Sequence, residues 1–504
     1  MSTILEKNNE EDAQEKAKRQ SLAHIASRSV MWNMMGSFGV SGIRFLSTAI
    51  LARILVPADF GIVGMAYVVT QIVQLFGNLG LGSALIQKAK VDEEYLSTAY
   101  WGSVAMGIVL SLLGMAASPL AAVFFKRAIV QPVLICLSIN FFIASLVSVQ
   151  TVLLTKNLNF KQISIIEVIT TIIRVAAILG FALSGFGLWS IVVGVVAERV
   201  VKTVIFYFFS DWRPKMIFDW GKFKELFHFG KNLFGSGFLG YFNANMDSIV
   251  TGRVLGAAEL GYYQFAYNLP HLVITMFTDR FNEVLFPVYS KIQDDIQRVG
   301  RGYLKTVNFI AMFTLPIMLG FLFTAHDFIL TVYGKKWLPS ILPLSILCVS
   351  GAIRSINSPN TTLITALGRP DMNFKWSSIL FPVTLAAIIL GAKFGIIGVA
   401  VAMTVMAFLS FIMLFICLKK VTLTFTDYFM AVKPGLISAL LMLTVLLIFN
   451  KWPFIEGLSS PLRLVLNMAV GALTYWFFIS WIYQSDYMIM KNFVSSFLSK
   501  RKRL

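Results

Sequence analysis

Runs of about 20 or more mainly apolar residues recur along the chain with short polar breaks, each long enough to cross a hydrocarbon core of roughly 30 Å as a helix. The pattern predicts spans near residues 29–55, 59–86, 95–123, 130–155, 161–184, 186–209, 225–252, 259–287, 302–325, 337–367, 373–393, 395–418, 430–450 and 462–484, about fourteen helices. The expected fold class is therefore an all-α integral membrane protein. Residues 1–28 are polar and of mixed charge, without the apolar stretch of a signal peptide. They read as a cytoplasmic tail, either a surface helix from Glu10 to Arg28 or a solvated disordered segment. Residues 485–504 form a basic tail.

The pattern repeats. Asn33, Ser37, Ser41, Arg44 and Thr48 fall on one face of the first span, and Asn232, Ser236, Gly240, Asn243 and Asp247 fall on one face of the seventh. Each stripe runs into a matching loop, Arg53-Ile-Leu-Val-Pro-Ala-Asp-Phe-Gly61 and Arg253-Val-Leu-Gly-Ala-Ala-Glu-Leu-Gly261. Asn159-Phe160-Lys161 returns as Asn373-Phe374-Lys375, and Phe186-Gly187-Leu188 as Phe394-Gly395-Ile396. Six spans are thus duplicated. Six is even, so both copies share an orientation, like parallel repeats about an axis along the membrane normal. The expected organisation is a first six-helix lobe with its linker in 29–224, a second in 225–418, and two added helices in 419–484.

Composition agrees: of 504 residues, 57% are hydrophobic and 13% charged, and the mean hydropathy is +0.75. The net charge of +18 would raise nucleic-acid binding in a soluble protein. Here the basic residues sit in short loops between apolar spans, which points to topology and anionic lipid instead. The tails and even-numbered connections hold roughly 28 lysines and arginines and the odd connections roughly 9, which places both ends in the cytoplasm. Cys136, Cys348 and Cys417 lie in apolar runs without metal-ligand spacing, and the four histidines are dispersed. No metal site and no cofactor is expected. HExxH, a nucleophile elbow and GxxxxGK[ST] are all missing from the sequence, which leaves no hydrolytic engine for ATP.

A charge near the middle of a bilayer costs on the order of 3 kcal/mol or more, so each one asks for a reason. Arg44, Arg174 and Arg354 fall near the middles of spans one, five and ten, and Glu167 and Asp247 also lie within spans. Ser358, Thr361 and Thr365 follow Arg354 at helical spacing, and Asn268, His271, Thr275, Asp279 and Asn282 form a stripe on span eight. One reading makes these the lining of a wet cavity: Arg44, Arg174 and Arg354 for phosphate, and Ser37, Ser41, Thr48, Asn243, Ser358, Thr361 and His271 as polar walls. Asp247, Asp279, Glu283 and Glu167 are then candidates for ion coupling. The other reading is structural pairing: Glu167 with Arg174, Arg280 with Glu283, and Arg44 with Asp247 across helices.

Leu51-Ala-Arg-Ile-Leu-Val-Pro-Ala-Asp-Phe-Gly61, Gly261-Tyr262-Tyr263 and Phe286-Pro-Val-Tyr-Ser-Lys-Ile-Gln-Asp294 resemble the polysaccharide transporters of the multidrug/oligosaccharidyl-lipid/polysaccharide superfamily. The likeness is greatest to Wzx-type flippases of the colanic-acid exporter branch and covers about residues 25–490. It implies two six-helix lobes forming a V around a central cavity in a bacterial inner membrane. The implied substrate is an undecaprenyl-diphosphate-linked oligosaccharide, moved to the periplasmic leaflet for O-antigen, capsule or exopolysaccharide assembly, with other assembly proteins as partners. Basic cavity residues meet the diphosphate in this superfamily; Arg44, Arg174 and Arg354 take that role here by location. A peptidoglycan lipid II flippase and a cation-coupled drug antiporter of the same fold are the alternatives. A membrane glycosyltransferase would need a sizeable extramembrane domain, and the longest internal polar segment, near Ser210 to Glu225, is too short for one.

Overall fold

The computed structural model describes residues 36–77, 82, 85, 88, 91–157, 159–484 and 488, with the backbone alone for 227, 229–238, 280, 283 and 284. The expected N-terminal surface helix and the basic C-terminal tail lie outside the described residues. In chain order the helices are α1 (Gly36–Ile54), α2 (Pro57–Gly77), α3 (Glu93–Phe125), α4 (Val130–Ser145), α5 (Ser148–Lys156), α6 (Phe160–Leu183) and α7 (Leu188–Phe209). There follow α8 (Trp220–Val254), α9 (Ala257–Val273), which continues through a π-helical turn at Ile274–Asp279 into α10 (Arg280–Lys291), and α11 (Ile296–Phe328). The last are α12 (Ile341–Asn357), α13 (Pro359–Ala366), α14 (Pro370–Ala392), α15 (Gly395–Lys420), α16 (Phe425–Asn450) and α17 (Ser460–Ile482).

Among the described residues ten helical tracts are long and apolar enough to cross a membrane, eleven if α4 and α5, which meet at a 51° bend, form one span. The remaining predicted positions are helical but more polar. Helix α7 carries Glu198, Arg199 and Lys202, α8 carries Lys222, Lys224 and Glu225, and α9 carries Glu259, Gln264, Asn268 and His271. The protein is thus an all-helical, multi-pass membrane protein. A count of fourteen crossings still rests on these three tracts. Large apolar side chains are widely exposed, Leu120 at 72% and Leu473 at 71% among them, as a hydrocarbon solvent permits and water does not.

Local chemistry sets the helix ends. Asp92 caps α3 by accepting from the Tyr95 amide, Asp295 caps α11 through the Arg298 amide, and Thr424 with Asp427 forms a capping box on α16. Pro359 and Pro370 open α13 and α14, where a missing N–H costs nothing.

The chain forms two compact units, residues 1–55 with 66–238, and 56–65 with 239–504. In the first unit, Tyr100, Leu96 and Ala99 of α3 pack with Val149 and Leu226. The segment before α8 is strapped to α3: Trp101 donates to the Lys215 carbonyl at 2.8 Å, and the buried hydroxyls of Ser97 and Thr98 accept from the Lys215 and Asp219 amides. In the second unit, Val299, Tyr303, Val307 and Ala311 of α11 build a core with Leu414, Cys417, Tyr428 and Val432. Arg463 of α17 forks onto Asp327 of α11, and Tyr475 donates to the Met312 carbonyl, which fixes the last helix to this core.

The repeated loops meet inside the second unit. A Cβ on Gly61 would lie 1.7 Å from the Ala257 carbonyl oxygen, and one on Gly261 would lie 2.1 Å from that of Pro57. The partners differ by the repeat offset, so each copy does to the other what is done to it, the mark of a two-fold contact. Phe60 and Phe265 pack edge to face at 4.9 Å beside the same crossing.

Candidate functional site

In the first unit the helices bring two arginines to one carboxylate. Arg174 on α6 donates to Oε2 of Glu198 on α7 at 3.0 Å, and Arg44 on α1 reaches Oε1 at 3.5 Å. Glu198 is 13% exposed, Arg174 24% and Arg44 51%, so the first pair is mostly enclosed and the second half open. Tyr67 stands against all three charges. One helical turn along α7, Lys202 pairs with Glu167 of α6. The sum over these side chains is one surplus positive charge, carried on guanidiniums that offer paired donors to a phosphate.

The second unit carries a different arrangement. Asp247 on α8 is 2% exposed and accepts from the Tyr263 hydroxyl at 2.7 Å and the Ser248 amide at 2.7 Å. Tyr263, Tyr267 and His271 recur every four residues on one face of α9; the two tyrosines stack at 6.1 Å, and Tyr267 lies 5.3 Å from His271. Arg354 on α12 donates to the Tyr267 hydroxyl at 3.4 Å, with no carboxylate within 4 Å among the described residues. A cavity of about 10 Å³, the room of a single water, lies between Arg354, Tyr267, His271 and Ser350. The aromatic ladder therefore links an acid and a base that do not touch.

Residues 50–342, more than half of the chain, match the family described as "Polysaccharide biosynthesis protein". The chain belongs to this family. It is 28% identical over 460 residues to the teichuronic acid biosynthesis protein TuaB of Bacillus subtilis, covering 89% of this chain and 94% of that one. It is 26% identical over 450 residues to the lipopolysaccharide biosynthesis protein WzxC of Escherichia coli, covering 87% and 86%. Its fold is similar to that of a solved structure of the lipid II flippase MurJ, itself in an inward closed conformation, with a TM-score of 0.73 at 20% identity over 91% of this chain and 98% of that one. The resemblance to Wzx-type transporters read from the loop motifs is thereby established.

Within this member of the polysaccharide biosynthesis family, the structural pairings expected from sequence are replaced. Glu167 turns to Lys202 rather than Arg174, and Arg174 to Glu198, because α6 and α7 lie side by side and α7 supplies both partners. In the first unit Arg44 pairs with Glu198, and in the second Asp247 accepts from Tyr263. The side chains of Arg280 and Glu283 are outside the described residues. Ser37 and Ser41 are half-buried on α1, and Thr48 donates to the Arg44 carbonyl at 2.8 Å. Asn243 donates to the Ser377 carbonyl at 3.4 Å. Ser358 accepts from Asn282 at 2.7 Å, Asp279 and Thr361 line a groove of the second unit, and His271 borders the small cavity.

Glu198 and Tyr267 are not singled out by the sequence, and Tyr263 enters there only as part of the Gly261-Tyr262-Tyr263 motif. A signal existed for Glu198: two mid-span arginines call for an acid, and Glu198 lies within the apolar sixth span. The tyrosines gave none, because aromatic residues at helical spacing are ordinary core.

Proposed function

We propose that the protein is a flippase that moves undecaprenyl-diphosphate-linked oligosaccharide units from the cytoplasmic to the periplasmic leaflet of a bacterial inner membrane by alternating access. The observation that carries this reading is the likeness, over nearly the whole chain, to proteins named for teichuronic acid and lipopolysaccharide biosynthesis. The fold shared with a lipid II flippase supports it. Both termini face the cytoplasm by the lysine and arginine count. Arg44 and Arg174 meet the diphosphate, and Arg354 gives the second unit a cation of its own for the same chemistry. Hydroxyl and amide side chains, Ser37, Ser41, Thr48, Asn243, Ser358 and Thr361 among them, meet sugars. The protein acts as a transporter, not an enzyme. The drive is product consumption by downstream assembly proteins or an ion gradient, where one charge crossing 100 mV yields about 2.3 kcal/mol.

Mass spectrometry of lipid-linked saccharides in cells lacking the protein tests the reading. Accumulation of a polyprenyl-diphosphate oligosaccharide on the cytoplasmic side supports it. Accumulation of lipid II alone would assign the peptidoglycan precursor, and no lipid-linked saccharide at all would reject it.

A further inference from the structure

The geometry points to a saccharide-binding groove in the second unit, formed by the end of the α9–α10 tract and by α13, separate from the arginine clusters. The groove has a volume of about 500 Å³ and is lined by Asp279, Asn282, Phe286, Thr361, Thr362 and Thr365. That volume is in the range of pockets that enclose small organic ligands. The lining matches hydroxyl-rich ligands: a carboxylate and an amide beside adjacent hydroxyls, Thr362 to exchange hydrogen bonds, the Thr361 oxygen to accept one, and one aromatic face for the apolar side of a sugar ring. Hydroxyl and amide groups dominate this lining, which points to the sugar portion of the substrate.

The framework around the groove is set by hydrogen bonds. Asn282 donates to Ser358 at 2.7 Å, and Asn373 donates to the Thr361 carbonyl and to the Thr365 hydroxyl at 2.9 Å each. Thr361 and Thr365 send their own hydroxyl protons back into α13. Among the described residues the buried Asn282 carbonyl oxygen has no hydrogen-bond donor. Both walls lead into connections, at Lys291 and Arg369, that the basic-residue count places on the cytoplasmic side, where the lipid-linked sugar is offered.

The inference rests on the flippase reading and names where that function selects its sugar. The full chain in proteoliposomes is given two fluorescent substrates, a polyprenyl diphosphate bearing one hexose and one bearing a tetrasaccharide. The paired change Thr361→Val with Thr362→Val, and separately Phe286→Ala, lowers the ratio of tetrasaccharide to one-sugar transport by about ten-fold. An unchanged ratio, whether both rates hold or both fall together, overturns the groove. A binding readout stands apart from transport: in a Cys136→Ala background, Thr362→Cys reacts with a maleimide, and millimolar free tetrasaccharide slows that reaction several-fold. Labelling that is indifferent to the sugar overturns the proposal even if the protein flips lipid. Slowed labelling in a protein that flips neither substrate keeps the groove as a sugar site and removes the flippase reading instead.

Discussion

Gly61 approaches Ala257 so closely that a Cβ on it would stand 1.7 Å from the carbonyl oxygen. Gly261 holds the same relation to Pro57, at 2.1 Å. No side-chain rotation relieves either contact, because both partners are backbone, so Gly61→Ala or Gly261→Ala forces the helix ends apart at a cost of about 1–3 kcal/mol. Gly64→Ala serves as the control: its Cβ would meet the end of the Gln264 side chain, which can swing away. Thermal unfolding of the purified protein in detergent should show a large drop for the first two and a small one for the third. Equal drops would mean that the crossing tolerates a methyl group and that the reciprocal contact is incidental.

Glu198 joins two arginines, and the two links differ. The Arg174 side is enclosed, so Glu198→Ala leaves a partly buried guanidinium without its acid and costs on the order of 2 kcal/mol. The Arg44 side is half open at 3.5 Å, so Arg44→Ala costs about 0–1 kcal/mol of stability. Transport should rank the other way: Arg44→Ala abolishes movement of the diphosphate lipid at normal protein level, since of the two arginines on Glu198 its guanidinium is the more exposed. Full transport by Arg44→Ala would remove the site.

The all-helical membrane fold was legible because it is written in long-range pattern, apolar runs of spanning length separated by short polar breaks. Gly61 and Gly261 are visible in the sequence as matched loop ends. The pairing of charges was not legible. Glu167 and Arg174 share a helix at suitable spacing, yet α7 lies against α6 and offers each a better-placed partner in Lys202 and Glu198. Sequence spacing ranks neighbours on one helix only, whereas partner choice in an apolar medium is decided by which helix packs alongside. The roles of Tyr263 and Tyr267 are not legible for a related reason: they arise only because Asp247 and Arg354 come from other helices to meet them.

Asp247 and Tyr263 are both buried, and each is the other's partner. Tyr263→Phe removes one donor from the carboxylate, and Asp247→Ala strands a buried hydroxyl; each costs about 1–3 kcal/mol. Asp247→Asn retains an acceptor for Tyr263 and removes the charge. If Asp247 couples transport to a proton or sodium gradient, Asp247→Asn, which keeps an oxygen for only one of the two donors, transports per folded molecule at a rate independent of the imposed gradient. Gradient dependence identical to the parent protein would leave Asp247 a structural acceptor alone.

Asp92 caps α3 where the linker before α8 is strapped down, and its charge gives this junction a pH signature. The Tyr95 amide, and after it the Lys222 ammonium, hold the Asp92 carboxyl below its ordinary value. A carboxylate lowered on folding contributes stability above its unfolded pKa, about 3.9, and loses it as pH falls through the still lower folded value. Lys222 is raised by Glu94 and then Asp92, so its contribution holds below the ordinary lysine value of about 10.4 and is lost only at higher pH. Between these limits the junction is fully charged. Asp92→Asn keeps a side-chain oxygen for the Tyr95 amide but cannot pair with Lys222. Its melting temperature should therefore lie below that of the parent at neutral pH, with the gap closing once the pH drops below about 4. A gap that stays constant from pH 7 to pH 3 would show that Asp92 acts through geometry and not through its charge.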